Sequence, residues 1–217
     1  MNWTSASRNA AVDAVFDAAP IVPVLSIERL EDAVPLARAL ADNGLPVLEV
    51  TLRTGVARAA IERIVREVPN AIVGAGTVLR PDDLRSVIDA GAVFAIAPGS
   101  TDALYEAAAD AAIPFIPAIA TASELMRGLD HGHARFKFFP AESSGGIAAL
   151  KSFAGPFAQV RFCPTGGIDA AKAPAYLALP NVATVGGSWM VPKAALDAGD
   201  WTTIGRLAAE CTRLRAR

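Results

Sequence analysis

A lysine lies among aromatic residues in the segment Phe136–Phe139 (FKFF). Phenylalanine favours the protein interior, whereas lysine is rarely buried without a partner. Burial disfavours the charged ammonium, and the neutral amine can attack a carbonyl carbon and form a Schiff base. Lys137 is therefore a candidate nucleophile. An ion pair with a carboxylate, or a position at a rim with the ammonium in water, would explain the same lysine.

Glu49 lies inside the apolar segment VLEVT (47–51). An ionised carboxylate is costly to bury without partners. One interpretation is a plain ion pair with Lys137. The other is a general acid and base that moves protons around a Schiff-base intermediate. Both interpretations use the same contact, so the contact alone does not separate them.

Arg53 follows Glu49 by four positions in the sequence. Alternate residues of a strand point to the same face, so Arg53 shares the face of Glu49 if the strand extends that far. A guanidinium binds a carboxylate through two parallel hydrogen bonds, which makes Arg53 a candidate clamp for an acidic substrate. Alternatively, Arg53 is a rim charge that only orients Glu49.

Two glycine pairs are candidate anion-binding elements. Gly166–Gly167 lie in PTGGI, and Gly186–Gly187 precede Ser188 in GGSW. Glycines let backbone N–H groups approach an anion closely, and a helix N-terminus adds a favourable partial charge. Ordinary turn glycines would explain either pair alone. A third segment, Gly74–Thr77 (GAGT), either packs strands closely or leaves space for a ligand beside a hydroxyl.

The elements that must position these residues alternate along the chain. Apolar residues at successive positions, bounded by Gly, Pro or polar residues, are typical of parallel strands covered on both faces. Helical patterns lie between these segments, and Thr121 and Glu124 have the spacing of a capping box. The strand segments are residues 21–25, 47–52, 71–78, 94–99, 115–120, 135–141, 159–167 and 182–189.

Eight strand–helix units predict a closed (β/α)8 TIM barrel, an α/β fold in a single domain. We expect an extra N-terminal helix in residues 1–19, the barrel in 20–192 and a C-terminal helix in 193–217. A doubly wound open sheet is the rival fold. That fold requires a glycine-rich turn after the first strand, where this chain reads SIERLED.

In such barrels the site lies at the C-terminal ends of the strands. His131 and His133 precede the sixth strand at the opposite end, and we expect both to be solvated and not to bind metal. The candidate residues at the C-terminal ends are Glu49, Arg53, Thr77, Pro98, Lys137, Phe139, Thr165, Gly166, Gly167, Gly187 and Ser188.

The composition argues against several classes of function. Hydrophobic residues make up 53% and charged residues 19% of the chain, so a large core is expected and disorder is not. The net charge is −2 without a basic stripe, which argues against nucleic acid and anionic membranes as partners. Cys163 and Cys211 lack metal-ligand spacing, so both are expected to be reduced thiols, with Cys163 in the core. No secretory signal or transmembrane segment is visible, and a cytoplasmic location is expected.

Five segments, taken with their spacing, resemble one family. The 2-keto-3-deoxy-6-phosphogluconate (KDPG) aldolases, which often also cleave 4-hydroxy-2-oxoglutarate (KHG), have similar sequences across nearly the whole chain. The resemblance implies a TIM barrel, usually a homotrimer, that cleaves KDPG to pyruvate and glyceraldehyde 3-phosphate by class I chemistry without a metal or other cofactor. The segments are LEVTLRT (48–54), IVGAGTVL (72–79), FKFFPAE (136–142), GPFAQVRFCPTGGI (155–168) and GGSWMVP (186–192).

The resemblance also implies roles for individual residues. Lys137 would form the Schiff base, and Glu49 would accept and donate protons. Arg53 would help to bind the substrate and orient the glutamate, and Thr77 would bind the pyruvate half. Gly166, Gly167, Gly187 and Ser188 would hold the distal phosphate. From their positions at the C-terminal ends of strands, Pro98, Phe139 and Thr165 are expected to complete the substrate-binding set.

Two other functions stay open at the level of the sequence. A related pyruvate aldolase would prefer another 2-keto-3-deoxy acid, such as the galactonate epimer or a non-phosphorylated acid. Ala118 bears on this choice, because the family commonly has a glycine at that position and an extra methyl group would trim the pocket. A non-catalytic binding protein would use Lys137 and Glu49 as a structural ion pair and would never form a covalent adduct.

Overall fold

Eight parallel strands form a closed barrel in the computed structural model, which describes residues 3–214. The fifth strand has two pieces, separated by Pro117. The strands are β1 Ile21–Leu25, β2 Val47–Thr51, β3 Ile72–Gly76, β4 Phe94–Ile96, β5 Phe115–Ile116 with Ala118–Ile119, β6 Arg135–Phe138, β7 Arg161–Pro164 and β8 Val185–Gly187.

The strands follow chain order around the barrel. β1 pairs with both β2 and β8, and the two pieces of β5 pair with β4 and β6 on either side of Pro117. Backbone bridges Thr165–Gly186 and Phe162–Val182 join β7 to β8 and so close the ring. The (β/α)8 barrel predicted from the alternation of elements is confirmed.

Helices surround the strands. No helix within residues 3–214 is long and apolar enough to cross a membrane. The α-helices are α1 Ser5–Asp17, α2 Ala33–Ala41, α3 Ala57–Glu67, α4 Pro81–Asp89, α5 Asp102–Ala109, α6 Ala122–Asp130, α7 Gly146–Ala154, α8 Ala173–Leu177, α9 Lys193–Ala198 and α10 Trp201–Thr212.

The C-terminal segment differs from the single helix predicted for residues 193–217. Gly199 has a positive φ of 65°, which ends α9, because a left-handed conformation cannot continue a right-handed helix. The carboxylate of Asp200 then accepts a hydrogen bond from the backbone N–H of Thr203 at 3.0 Å and caps α10. The segment therefore forms two helices, and residues 215–217 lie outside the described part of the chain.

Helix starts follow the local sequence signals. Thr121 accepts a hydrogen bond from the N–H of Glu124, whose carboxylate accepts one from the N–H of Thr121, so the predicted capping box begins α6. Pro81 occupies the first turn of α4, where its missing N–H costs nothing. These caps fix where each helix leaves the strand that precedes it.

Helix α1 covers the N-terminal end of the barrel. Its Val12 and Phe16 pack in one cluster with inward-facing residues such as Phe94. Asp13 accepts hydrogen bonds from Arg135 at 2.6 Å and Arg161 at 2.7 Å, which are the first residues of β6 and β7. Helix α1 therefore lies at the end of the barrel opposite to the predicted site.

The expectation that both histidines are solvated is wrong for His133. Its side chain is buried between the aromatic rings of Tyr105 and Phe115, whereas His131 is partly exposed and stacks on Tyr105. Burial, together with the nearby positive charge of Arg8, lowers the pKa of His133 from 6.5 to about 3. His133 is therefore a neutral core residue.

Candidate active site

Strands β2 and β6 bring Lys137 and Glu49 into direct contact inside the barrel. The ammonium Nζ donates hydrogen bonds to Oε1 of Glu49 at 2.7 Å and to Oε2 at 3.0 Å. Both residues are buried, with 5% exposure for Lys137 and 2% for Glu49. A carboxylate this close to the amine can take a proton from it and return one to a bound molecule.

The glycines of β3 make room for the Glu49 side chain. A Cβ on Gly76 would overlap the carboxylate of Glu49, and a Cβ on Gly74 would overlap the ring of Phe94. Glu49 lies opposite Gly74 in the register of β2 and β3. The two glycines therefore serve close packing in the barrel, which is one of the two interpretations open from the sequence.

Aromatic and sulfur groups surround the amine. Nζ of Lys137 lies 5.4 Å from the centre of the Phe139 ring, which is half-buried. Cys163 lies opposite Lys137 in the register of β6 and β7 and is buried, as expected. Burial raises the pKa of the Cys163 thiol to about 12, so it stays protonated and is no competing nucleophile. Ala118 lies opposite Lys137 on the other side, in β5.

Thr77 has a strained backbone directly after β3. Its φ is 60°, and among the described non-glycine residues it alone has a positive value. A β-branched residue is an outlier in this region, and such strain concentrates at functional sites. The side chain is half-buried, one position beyond the Gly76 that faces Glu49. Thr77 and its hydroxyl therefore lie at the C-terminal end of the barrel, as predicted.

The first glycine pair forms a turn after β7 that only glycine adopts readily. Gly166 has a φ of 106° and Gly167 a φ of 77°. The carbonyl of Gly166 accepts a hydrogen bond from the backbone N–H of Glu142 at 3.1 Å. The turn is exposed at Gly167, whereas Thr165, immediately before it, is buried.

The second glycine pair lies beside the first. A Cβ on Gly186 would overlap the Thr165 hydroxyl, and the isolated bridge between these residues brings β7 and β8 together. A Cβ on Gly187 would overlap the Trp189 ring, and Ser188 is exposed at the end of β8. The two predicted anion-binding segments are therefore neighbours at one end of the barrel.

Arg53 is not bonded to Glu49 in this structure. Its side chain is exposed, and within residues 3–214 it makes no hydrogen bond or ion pair with Glu49. Strand β2 ends at Thr51, so the alternation that would align Arg53 with Glu49 stops two residues too early. Arg53 instead lines a cavity of about 430 Å³.

This cavity lies where β1, β2 and β8 end. Arg53, Ser188 and Thr51 line it, together with Lys193 from α9. Neither Lys137 nor Glu49 lines this cavity, which we call the outer chamber. Pro98 lies elsewhere on the rim, half-buried after β4.

Metal chemistry has no candidate ligands here. Among the described residues, no group of three or more His, Cys, Asp or Glu side chains is placed to hold a metal ion. The acidic residue of the site, Glu49, is committed to Lys137. An amine and a carboxylate are the reactive groups that the barrel brings together.

A family model described as KDPG and KHG aldolase matches residues 12–207. This chain belongs to the KDPG and KHG aldolase family. The KHG/KDPG aldolase of Escherichia coli K12 is 54% identical over 96% of both chains, and the 2-dehydro-3-deoxy-phosphogluconate aldolase of Dickeya dadantii is 53% identical over 96% of this chain.

Solved structures of aldolases from this family have the same barrel. The KDPG aldolase of Legionella pneumophila, with pyruvate captured as a covalent carbinolamine intermediate, superposes with a TM-score of 0.91 at 50% identity, over 92% of this chain and 97% of that one. The Zymomonas mobilis ZM4 enzyme with 3-phosphoglycerate also has a TM-score of 0.91, at 49% identity over 96% and 98% of the two chains.

One group of residues beside the site was not singled out from the sequence. Glu142 ends the family segment FKFFPAE and accepts hydrogen bonds from Lys172 and Tyr176. Lys172 also donates to the carbonyl of Gly167 at 2.8 Å. The position of Glu142 in a family segment was a signal, but its partners come from a later strand–helix unit and are brought close only by the barrel.

Proposed function

We propose that this chain is a class I aldolase that cleaves KDPG to pyruvate and glyceraldehyde 3-phosphate, as its relatives are named to do. The observation that carries the proposal is the buried contact between Lys137 and Glu49, with Nζ at 2.7 Å from Oε1. A buried amine with its own proton acceptor is what Schiff-base formation requires. The covalent pyruvate adduct described for the Legionella pneumophila relative supports the same chemistry.

The reaction starts at the amine. Glu49 takes a proton from the Lys137 ammonium, and the neutral nitrogen attacks the keto carbon C2 of the substrate to give a carbinolamine. Loss of water then gives a protonated imine. This cationic C=N bond accepts electrons, which is why the protein needs no metal to stabilise the carbanion that follows.

Carbon–carbon cleavage follows from the imine. Glu49 removes the proton of the C4 hydroxyl, the C3–C4 bond breaks, and its electron pair moves into the C2–C3 bond to form an enamine. Glyceraldehyde 3-phosphate leaves as the aldehyde. Glu49 returns the proton to C3, and water hydrolyses the imine to release pyruvate and free Lys137. One carboxylate thus serves as base and acid in turn.

The remaining site residues are proposed to bind the two halves of the substrate. Thr77, held in its strained conformation, would bind the pyruvate carboxylate. Arg53 would turn inward from the outer chamber to pair with an acidic group of the substrate. The other residues would make hydrophobic contacts with the substrate and bind its distal phosphate. They are Pro98, Phe139, Thr165, Gly166, Gly167, Gly187 and Ser188.

Steady-state cleavage of KDPG, followed by release of pyruvate, tests the proposal. We expect Lys137→Ala to lose activity while its circular dichroism spectrum stays that of the parent. Lys151→Ala, at an exposed lysine on α7, is the matched control and should keep full activity. Full activity in the Lys137 variant would end the proposal.

Substrate breadth is a second part of the proposal. KHG cleavage to pyruvate and glyoxylate is supported by the name of the Escherichia coli relative. A preference for the galactonate epimer is the alternative. Ala118 lies opposite Lys137 in β5, so its methyl group is at a position where added volume would change this substrate preference. Rates on KDPG, its epimer and KHG, compared at equal concentration, distinguish these cases.

The assembly is carried over from the resemblance, and the cytoplasmic location is the one expected from the sequence. We propose a homotrimer, so light scattering should give a mass of three times 22.4 kDa. A mass of 22.4 kDa would contradict this. Use of the enzyme in cytoplasmic breakdown of phosphogluconate, the Entner–Doudoroff route, follows from the proposed substrate and stays a prediction.

A further inference from the structure

The carboxylate of Glu142 is held by two donors outside the Lys137–Glu49 pair. Nζ of Lys172 lies 2.7 Å from its Oε2, and the Tyr176 hydroxyl donates to its Oε1. The hydrogen bonds from Lys172 and Tyr176 lower the pKa of Glu142, which therefore stays ionised. The Glu142 and Lys172 side chains are 35% and 45% exposed, so the pair contributes little to stability and another role is open to it.

Lys172 connects Glu142 to the glycine turn. Its ammonium donates to the carbonyl oxygen of Gly167 at 2.8 Å while it pairs with Glu142. Its backbone is fixed in turn, because the carboxylate of Asp169 accepts from the N–H groups of Ala171 and Lys172 at 3.0 Å each. The side chains of Glu142, Lys172 and Asp169 thus hold one side of the turn in place, and we call these three side chains the brace.

The brace determines where the N–H groups of the turn point. In a trans peptide the C=O and the N–H point in opposite directions. The carbonyls of Gly166 and Gly167 both point towards the Glu142 side, since they accept from the Glu142 N–H at 3.1 Å and from Lys172. The N–H groups of Gly167 and Ile168 must therefore point the other way.

These two N–H groups are available to a ligand. Neither one donates a hydrogen bond to an acceptor within residues 3–214. Successive N–H groups in a turn of this kind form a concave anion-binding surface. The stem of Glu142 also limits the turn, because a Cβ on Gly167 would lie 2.8 Å from its Cγ.

We propose that Glu142 is a positioning residue for the distal phosphate: it holds Lys172 on the Gly167 carbonyl and so aims the N–H groups of Gly167 and Ile168 at the phosphate. The inference rests on the proposed function, which supplies the phosphorylated substrate. Glu142 itself does not touch the reacting atoms. Its effect belongs to phosphate binding and not to carbon–carbon cleavage.

The test compares Glu142→Gln and Lys172→Met with the parent enzyme on two substrates, KDPG and its non-phosphorylated analogue 2-keto-3-deoxygluconate. We expect the KM for KDPG to rise roughly five- to twentyfold in each variant, with kcat within about twofold. Both constants for the non-phosphorylated analogue should stay unchanged. The inhibition constant of inorganic phosphate should rise with the KM for KDPG.

Two controls separate this role from a structural one. Glu210→Gln breaks an exposed ion pair with Arg206 on α10 and should change neither KM nor kcat for either substrate. The double variant Glu142→Gln with Lys172→Met should raise the KM for KDPG no more than the single variant with the larger effect, because both substitutions act on the Gly167 carbonyl.

An unchanged KM for KDPG, or an equal loss on both substrates, would overturn the inference. Failure of the proposed function is distinguishable, because it would appear in the parent enzyme as no cleavage of KDPG at all. If Glu142→Gln does not fold, Lys172→Met still decides the question, since it removes the same brace from an exposed position.

Discussion

The Lys137–Glu49 pair is costly for stability and useful for chemistry. Two buried charges lose their hydration, and their mutual attraction offsets this loss only in good geometry, such as the 2.7 and 3.0 Å hydrogen bonds found here. Hydrophobic residues of similar size would fill the barrel at lower cost. The pair is therefore better explained by proton transfer than by folding.

Replacing the carboxylate of Glu49 tests proton transfer at the scale of one residue. Glu49→Gln keeps the size and one hydrogen-bond acceptor but removes the base. We expect kcat for KDPG cleavage to fall about 10²- to 10⁴-fold, because general acid–base catalysis contributes in that range. Pyruvate-coupled kinetics measure the change, and a kcat within twofold of the parent value would refute the role.

Thr77 allows a second test at this scale. Asparagine tolerates a φ of 60° better than threonine, so Thr77→Asn should relieve backbone strain and stabilise the fold by about 1 kcal/mol. The same change should raise the KM for KDPG, since it removes the hydroxyl proposed to bind pyruvate. Urea titration measures stability. A variant that is no more stable would show that the backbone at Thr77 holds no strain.

At the scale of elements, the site depends on how closely β2 and β3 approach. Glu49 fits only because Gly76 has no side chain. We expect Gly76→Ala to displace the carboxylate from Lys137 and lower kcat/KM by more than about tenfold while the protein still folds. Gly155→Ala is the matched control, because a Cβ there meets nothing within 4 Å. Equal activity in both variants would contradict the proposed fit.

The sequence predicted the parts of the site that strands position. Lys137 and Glu49 lie within regular strands. The apolar pattern of these strands and their order along the chain were therefore enough to place both residues at one end of the barrel. The alignment of Arg53 with Glu49 was conditional on a longer strand; β2 stops at Thr51, and the alternation of side chains does not continue into the following turn. The predicted C-terminal helix is divided in two, and the sequence contains a local signal for this division. Gly199, a typical residue at a helix end, comes directly before Asp200, a typical N-cap residue.

The contacts of His133 and Glu142 with distant segments could not be predicted. His133 is buried because Tyr105 and Phe115 surround it, and Arg8 of α1 lies beside it. The residues next to His133 in the sequence do not indicate these neighbours. Glu142 likewise contacts Tyr176, which lies 34 positions later in the chain, on α8.

At the scale of the whole molecule, His133 links pH to stability. Its pKa is about 3 in the folded protein, against 6.5 for an ordinary histidine, so between these limits the unfolded chain binds a proton that the folded protein excludes. Stability should therefore fall as the pH falls below 6.5, by about 1.4 kcal/mol per pH unit from this group. Burial is the main cause.

The variant His133→Leu tests this linkage. Leucine cannot be protonated, so the loss of stability between pH 6 and pH 4 should be smaller by about 1.4 kcal/mol per unit than in the parent. Urea titrations at several pH values give the free energies of unfolding. An unchanged slope in His133→Leu would contradict a neutral buried His133.

The proposed cleavage of KDPG requires a covalent bond between the substrate and Lys137. Incubation with pyruvate and borohydride, followed by peptide mass spectrometry, tests it most directly, because reduction fixes the imine where it forms. We predict a reduced pyruvyl adduct on Lys137 in the parent protein and none in Lys137→Ala. A folded protein that binds pyruvate without an adduct, or that carries it on another lysine, would mean that the Lys137–Glu49 contact is a structural ion pair.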